Sequence, residues 1–476
     1  MLKRLFASLV TILSVQLHAQ TADSISALLT ALKGNDASVD FKIEATVSAP
    51  LVYDHDVAAI PLTDKTGSWV LRGVQSTAGA RPALGDKILI CGMSQKRGKR
   101  DPASEFRITI LGSEATRPRP TPVSVPQLKG GAFDWRYIRL NGIVRDVLPS
   151  DTNANWIFLV LCADGDTTPV AVPLNGTPVS DFTALLRTPV VIDCFCCPRD
   201  GSLRLYQGRI CQASGIGAIT RQSNGQDDPF AVTEVSELCF RHPAEIAVSG
   251  LARAKGLVIS RWGSHDALLQ TDDGDRLHIV CSDCAPPEYN ASIEVSGFPS
   301  SDLFHITLVH AIWRPIAPLA IKVDAPQTFS SDRLQADVRT KPSTLAFLHG
   351  KRIRFTACVR MLPDQTVRKD ILLVENGPYI IPVDVSSAPQ AVKDVLPGST
   401  VEITATCVLN TDLWSPSMSY PQIHGFTAVL NESDGLRVIT RPPWWTAGRL
   451  LVVGWGGTYG HILSAVREVG KRGIKV

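Results

Sequence analysis

The sequence predicts an all-β protein made of four small, similar barrels in tandem. Four segments alternate apolar and polar residues around one small residue: Lys42–Val47, Arg139–Val144, Val248-Ser249-Gly250-Leu251-Ala252 and Arg354–Val359. A second strand-like segment follows each of them and carries a small residue or a cysteine. The spacings between the two positions are 47 (45 to 92), 52 (142 to 194), 47 (250 to 297) and 48 (357 to 405). This near-constant spacing indicates one unit written four times.

The composition is that of a globular protein with several domains. The 476 residues are 44% hydrophobic and 20% charged, which is typical of folded chains and not of disordered ones. The formal net charge is only +3, so nucleic acid is not expected as a partner. The 32 Pro and 35 Gly residues favour short strands joined by many turns.

The first 19 residues have the layout of a secretory signal. Lys3 and Arg4 precede an apolar run from Leu5 to Leu17, and Ala19 ends a short cleavage motif. We therefore expect residues 1–19 to be a signal helix that is removed on export. A short buried helix is the alternative.

The four repeats follow a short helical pattern at residues 21–35. We expect them at residues 36–115, 128–220, 236–316 and 345–441. Tight hairpins are expected at Asp164-Gly165 and Asn376-Gly377, because these residue pairs accept positive φ.

Five short strands in each repeat fit the five-stranded OB-fold barrel best. In that barrel the first strand bends so that it pairs with both the second and the fourth strand. Small residues such as Gly142 and Gly250 would let the backbones approach there. A two-sheet sandwich with the same number of strands is the alternative.

Binding is the activity that such barrels support, across the second and third strands and the adjoining loops. Aromatic side chains at this place could stack on sugars or bases. The candidates near hairpins or these loops are Trp69, Trp156, Trp262 and Trp414. Half-buried packing within the barrels is the alternative for each of them.

The cysteines do not form a recognisable framework. There are 11 of them, and Cys281 and Cys284 make a lone CxxC motif without the second pair that zinc needs. Cys358 and Cys407 fall on the first and fourth strands of the last repeat, which should be neighbours. A disulfide between Cys358 and Cys407 in an oxidising compartment is one hypothesis, and small buried thiols that fill the core are the alternative. No metal site and no cofactor are expected.

The end of the chain has a membrane-like pattern. Trp444 and Trp445 precede an uncharged run from Leu450 to Val466, and basic residues follow it. Aromatic residues on one side and positive charge on the other are typical of a membrane span. We therefore expect a helical membrane segment at 446–467 and a basic tail at 468–476. An amphipathic tail is the alternative, because the run is short for a spanning helix.

Four OB-like repeats, an export signal and Pro442-Pro443-Trp444-Trp445 together resemble one group of proteins. This group is the extracytoplasmic sensory region of bacterial membrane sensor histidine kinases. The resemblance covers about residues 36–467. It implies a periplasmic sensor of two-component signalling, anchored in the inner membrane, that binds an extracellular ligand or protein. A homodimer is compatible with it.

Such kinases continue into a phospho-accepting helix and a nucleotide-binding domain. The chain ends at Val476 without a matching motif, so the resemblance implies a kinase half lost by truncation or frameshift. The sequence thus predicts a non-catalytic, exported ligand-sensing array with no catalytic residue. The alternatives are a secreted soluble OB-fold protein that binds oligosaccharide or nucleic acid, and a hydrolase with an unrecognised site.

Overall fold

The computed structural model divides the chain into two compact units. Unit 1 consists of residues 1–229 and 248–250, and unit 2 of residues 230–247 and 251–476. The structure describes residues 21–34, 39–54, 57–75, 81–94, 107–114, 116–198, 209–222, 228–239, 241–302, 304–330, 347–415 and 423–442. Unit 1 holds barrels 1 and 2, and unit 2 holds barrels 3 and 4.

The strands of unit 1 belong to two sheets. Barrel 1 contains β1 (Val39–Val47), β2 (Val52–Asp54), β3 (Val57–Thr63), β4 (Ser68–Gln75), β5 (Asp86–Ser94) and β6 (Arg107–Ser113). Barrel 2 contains β7 (Thr121–Pro122), β8 (Tyr137–Pro149), β9 (Trp156–Ala163), β10 (Asp166–Pro173), β11 (Pro189–Pro198), β12 (Arg209–Ala213) and β13 (Ile219–Arg221).

The strands of unit 2 form two further sheets. Barrel 3 contains β14 (Thr233–Glu234), β15 (Ala252–Trp262), β16 (Asp266–Gln270), β17 (Arg276–Val280), β18 (Ser292–Ser301) and β19 (Ile306–Pro315). Barrel 4 contains β20 (Gln327–Thr328), β21 (Arg352–Met361), β22 (Ile371–Asn376), β23 (Tyr379–Asp384), β24 (Thr400–Thr411), β25 (Ile423–Val429) and β26 (Leu436–Thr440).

Helices are few and short. They are α1 (Ile25–Gly34), α2 (Val179–Thr183) and α3 (Pro243–Ala247), and single 3₁₀ turns lie at Val125–Gly130, Ile216–Ala218, Val235–Leu238, Pro363–Gln365, Pro389–Val392 and Ser433–Gly435. Helix α1 confirms the helical pattern at 21–35. Its Ile25 and Leu28 are completely buried in the core of barrel 1.

The strand order confirms the predicted barrels. In barrel 3 the order is β15-β16-β17-β19-β18, and β18 pairs again with β15, which closes the barrel. The third and fifth strands run parallel, as β17 and β19 do here. Barrels 2 and 4 repeat this order with the same parallel pair. Barrel 1 has the same antiparallel pairings, without a pairing of β4 to β6 among its described residues. This is the strand order of an OB-fold.

The repeat pattern reflects one pairing that recurs between the first and fourth strands. Ala45, Gly142 and Ala357 face Ile88, Val190 and Val401, and each of these partners lies four residues before the second small position. In barrel 3 the equivalent residue is Gly256, which faces Ile293.

The sequence-based choice of Gly250 as the small residue of the first strand in the third repeat was therefore wrong by six residues. Strand β15 begins only at Ala252, so Gly250 lies before it, and a methyl group added to Gly250 would meet nothing within 4 Å. A methyl group on Gly256 would instead overlap the carbonyl oxygen of Gln270 on the neighbouring strand. The close approach requires glycine at 256.

The first strands of barrels 2, 3 and 4 bend at a bulge three residues after the small position. The register shifts between Val144 and Asp146, between Val258 and Ser260, and between Val359 and Met361. A bulge bends a strand and increases its twist. One strand can therefore pair with the fourth strand along its first half and with the second strand along its other half.

The predictions for the two ends of the chain lie outside the described residues. These are the signal helix at 1–19, the membrane segment at 446–467 and the basic tail at 468–476. Among the helices that the structure describes, none combines the length and the apolar character needed to cross a bilayer.

Replacing Gly256 by Ala should destabilise barrel 3 by about 1–3 kcal/mol, because the added methyl group displaces backbone of β16. Gly250→Ala is the matched control and should stay within about 0.5 kcal/mol. Amide hydrogen exchange of β15 and β16, followed by mass spectrometry, measures the difference. Equal protection in the two variants would contradict the revised placement of the repeat.

Candidate binding face

Each barrel has an outer surface formed by its second and third strands, which are β3 and β4 in barrel 1. In barrels 2, 3 and 4 the bulged end of the first strand also belongs to this surface. We call this surface the docking face. The register makes the central pair of the face equivalent in the four barrels. These pairs are Pro61–Val70, Val160–Pro169, Leu268–His278 and Leu373–Pro382. Apolar residues dominate, so exposure of the face to water is unfavourable.

The docking face of barrel 1 is covered by barrel 2. Ala49 and Val70 of barrel 1 are buried against Phe195 and Cys197 of barrel 2, and Trp135 packs on the same cluster. Trp135 has a φ of 64° and lies two residues before β8. The turn that leads into barrel 2 therefore lies on the face of the barrel before it.

The docking face of barrel 2 also contacts such a turn. Residues 248–250 belong to unit 1, although the chain continues from them into β15. The Arg145 guanidinium donates a hydrogen bond to the carbonyl oxygen of Ser249 at 3.1 Å, and the Cys162 thiol donates to Val248 O at 3.2 Å. Arg145 is the bulged residue of β8. This face therefore binds backbone carbonyl groups.

The docking face of barrel 3 is covered by barrel 4. Gly350, which lies two residues before β21, packs against Leu268 and against the aliphatic part of Arg276. The Asn431 amide of barrel 4 donates to the hydroxyl of Ser260 at 2.9 Å. Ser260 and Leu268 are consequently 0% exposed.

The linker between barrels 3 and 4 crosses the same face. The Gln270 amide donates to the carbonyl oxygen of Lys322 at 3.4 Å. Asp324 accepts hydrogen bonds from Arg276 at 3.0 Å and from Lys351 at 2.6 Å. These bonds lower the pKa of Asp324, with the bond from Lys351 as the largest cause.

Barrel 4 presents the equivalent face without a cover among the described residues. Met361 and Ile380 are 38% and 54% exposed. They occupy the positions of Ser260 and Arg276 in barrel 3, because both barrels share one register. Exposed apolar side chains on a face that is covered elsewhere in the molecule indicate a binding surface.

The open face of barrel 4 also carries one ion pair. Arg360, the bulged residue of β21, pairs with Glu375 of β22. Arg360 is equivalent to Arg145 in barrel 2, where the guanidinium binds a backbone carbonyl. Both side chains are partly exposed, so this ion pair itself adds at most about 1 kcal/mol to stability. Arg360 bonds Glu375 through Nε and Nη2, and a guanidinium has further N–H donors with which it can bond a ligand.

The four predicted tryptophans lie in separate places. Trp69 contacts Phe41 edge-on at 5.8 Å between ring centroids and packs on the core of barrel 1. Trp156 begins β9 opposite Pro173 and is half-buried. The structure does not bring them together in one site, and their role in binding stays a prediction.

The other two tryptophans lie in unit 2. Trp262 stacks on the imidazole of His278 with 5.1 Å between ring centroids. The backbone amide of Trp414 donates to Ser301 O at 2.7 Å, and its ring meets His242 edge-on. Both are half-buried in contacts within the unit.

The structure does not contain the predicted disulfide between Cys358 and Cys407; both residues are free thiols. Strands β21 and β24 are neighbours, as expected. However, Cys358 faces Thr400, and Cys407 lies seven residues further along β24. At about 3.3 Å per residue this separation is too long for a disulfide. Cys407 is buried in the core, whereas Cys358 borders the docking face of barrel 4.

The residues of the open face were not predicted from the sequence. A signal for it was present, since Ile371-Leu372-Leu373-Val374 is apolar at consecutive positions and not only at alternate ones. Such a run predicts a strand with apolar side chains on both faces. The run alone could not show which of the four faces is covered.

No metal centre is found among the described residues, since none of their His, Cys, Asp and Glu side chains form a group of three or more that could hold an ion. We also find no site there whose residues would hold a cofactor.

Comparison with known proteins assigns the chain to no family. No protein-family model and no curated protein matches the sequence. Among solved structures, the chain is similar to a murine DNA binding protein bound with dsDNA at 8% identity, covering 38% of this chain and 97% of that one, with a TM-score of 0.19.

Two further solved structures are similar over parts of the chain. An OBody bound to hen egg-white lysozyme is 15% identical, covers 22% of this chain and 95% of that one, and has a TM-score of 0.17. The drosophila Unr CSD456 structure is 11% identical, covers 63% of this chain and 96% of that one, and has a TM-score of 0.16. These scores carry no argument about function.

The turn before β21 contains a buried histidine that should make unit 2 sensitive to acid. Burial lowers the pKa of His349 well below its usual range, and His305, His278 and Arg276 lower it further, whereas Asp302 opposes this. The rings of His349 and His305 stack at 4.0 Å, and His349 Nδ1 accepts a hydrogen bond from the amide of Leu409.

The folded state therefore keeps His349 neutral, while the unfolded state takes up a proton below pH 6.5. Stability should be complete above this pH and fall below it by at most about 1.4 kcal/mol per pH unit. Burial acts to raise the pKa of Asp302, but bonds from His305 and Thr411 outweigh it and lower that pKa to about 2. Protonation of Asp302 therefore lowers the stability of the folded state further only below about pH 4.

Urea unfolding of unit 2 between pH 7.5 and about pH 4.5 measures this dependence. His349→Gln should flatten the slope, whereas His424→Gln, which removes an exposed histidine of barrel 4, should not. An unchanged slope in His349→Gln would contradict the assignment.

Proposed function

We propose that the protein is a non-catalytic binding array whose ligand site is the docking face of barrel 4. One observation carries this proposal. Met361 and Ile380 are exposed at positions whose counterparts in barrel 3, Ser260 and Arg276, are covered by the following segment of chain. A ligand that covers this face would remove two large apolar side chains from water, worth about 1.5–3 kcal/mol for each fully buried one.

The ligand class that fits this face best is a polypeptide. The faces of barrels 1, 2 and 3 each contact a turn of protein chain, through apolar packing and through bonds to backbone carbonyl groups. A binder of nucleic acid strands would need unpaired cations and stacking aromatic residues. On this face Arg360 is paired with Glu375, and none of the four candidate tryptophans lies on these strands.

The sensory role remains part of the proposal through the resemblance to histidine kinase sensor regions. A polypeptide bound at barrel 4 would sit on the barrel nearest in sequence to Pro442, where the chain leads to the expected membrane segment. Binding that favours one arrangement of this barrel would shift the population of signalling states. The expected export to the periplasmic side places the face where an extracellular partner can reach it.

Ile380→Glu should weaken polypeptide binding by at least about tenfold, because it puts a charge on the apolar face. The probes are a displayed library of random peptides, a single-stranded oligothymidine and a glucose oligosaccharide. The immobilised full chain should select peptides. The affinities of these peptides for the wild type and for Ile380→Glu are then measured by calorimetry.

Ile439→Glu is the matched control, since Ile439 is 51% exposed on β26, outside the docking face. It should bind the selected peptides as well as the wild type does. Selection of no peptide, or equal binding by Ile380→Glu, would overturn the proposal. Binding of the oligothymidine or the oligosaccharide alone would favour the secreted OB-fold alternative.

A further inference from the structure

The contact between two successive barrels involves two surfaces. One is the docking face of the earlier barrel, and the other is a surface of the later barrel that packs against the earlier one. In barrel 2 this second surface includes Tyr137 and Phe195, which face each other on the first and fourth strands and pack on barrel 1. In barrel 4 the equivalent pair is Arg352 and Thr406. The Thr406 hydroxyl donates to the carbonyl oxygen of Ile259 in barrel 3 at 3.5 Å. We call this second surface the plug side.

Barrel 1 has a plug side that contacts no preceding barrel among the described residues. The equivalent pair there is Asp40 and Met93. Met93 is 44% exposed, whereas Phe195 and Thr406 at the same position are 2% and 4% exposed. The described chain thus has an uncovered plug side on barrel 1 and an uncovered docking face on barrel 4.

We propose that the protein associates head to tail, with the docking face of barrel 4 in one copy binding the plug side of barrel 1 in a second copy. This inference rests on the proposed function, because it names the polypeptide that the face binds. A second copy is a suitable partner because every copy of the chain carries both surfaces. The contact would repeat, between molecules, the kind of junction that joins barrels 1 and 2 and barrels 3 and 4.

The chemistry of the two surfaces is compatible with this contact. Met361, Ile380 and Met93 are apolar and exposed, and unbranched methionine side chains adapt to an irregular partner surface. Arg360 can donate to a backbone carbonyl of the second copy, as Arg145 does to Ser249. Asp40 on the plug side is exposed and adds an acidic group close to Met93.

The two surfaces differ, so the contact is heterologous and not a two-fold symmetric one. Such contacts produce rings if the rotation closes and open filaments if it does not. A single variant on either surface removes the contact between identical copies. A mixture of the two variants restores one contact only, since each variant retains the intact surface that the other lacks.

Sedimentation velocity of the purified full chain over a concentration series tests this arrangement. The wild type should form species whose mass rises with concentration or reaches a closed ring. Met93→Glu and Ile380→Glu should each weaken association by at least about tenfold and remain monomeric. An equimolar mixture of these two variants should form dimers and no larger species. Ile439→Glu should associate as the wild type does.

The outcomes separate this inference from the proposed function. A monomeric wild type that still selects peptides through Ile380 would overturn self-association and leave peptide binding in place. Association abolished by Ile380→Glu but not by Met93→Glu would also overturn the head-to-tail arrangement, and would favour contact between two identical faces. A monomeric wild type that selects no peptide would overturn both.

Discussion

The apolar outer face of the second and third strands is the constraint on which the arrangement of the barrels depends. A closed barrel has no free strand edge at which the sheet could be extended, and an added strand would in any case not cover the outer face. Packing against a separate segment is the remaining way to keep its side chains from water. Within unit 1 and within unit 2, the chain meets this need with the turn that leads into the next first strand. Trp135 and Gly350 lie in two such turns, and both residues adopt a positive φ.

This use of the face links the fold to the proposed function. The surface that contacts a turn of polypeptide in barrels 1, 2 and 3 recurs in barrel 4. The strand order is that of barrels 2 and 3, and β21 carries the same bulge as β8 and β15. The central residues of this surface, Leu373 and Pro382, remain apolar. Binding then needs no new architecture, because the ligand takes the place that a chain segment takes elsewhere. His349 places a buried titratable group in one such turn, and burial lowers its pKa, so we expect the stability of unit 2 to depend on pH.

Much of the fold could be predicted from the sequence, because its signals are local. Asp164 and Gly165 have positive φ at the expected hairpin, and Gly142 allows the close approach to Cys162 that its position predicted. The first strand of the third repeat was assigned to the wrong segment, because Val248 to Ala252 imitates a strand by alternation alone. Only the pairing shows that Gly256 faces Ile293. The docking face could not be predicted, since burial of Leu268 and exposure of Ile380 depend on distant segments. Cys358 and Cys407 failed as a pair for a similar reason: adjacent strands were foreseen, but their register was not.

The most direct test of the central claim is the solvent access of equivalent positions in barrels 3 and 4. Carbene footprinting of the full wild-type chain at high dilution, read out by mass spectrometry, labels side chains according to exposure. We expect strong labelling of Met361 and Ile380 and little labelling of Ser260 and Leu268. Equal protection at all four positions would show that the face of barrel 4 is covered within the chain, and it would contradict the account.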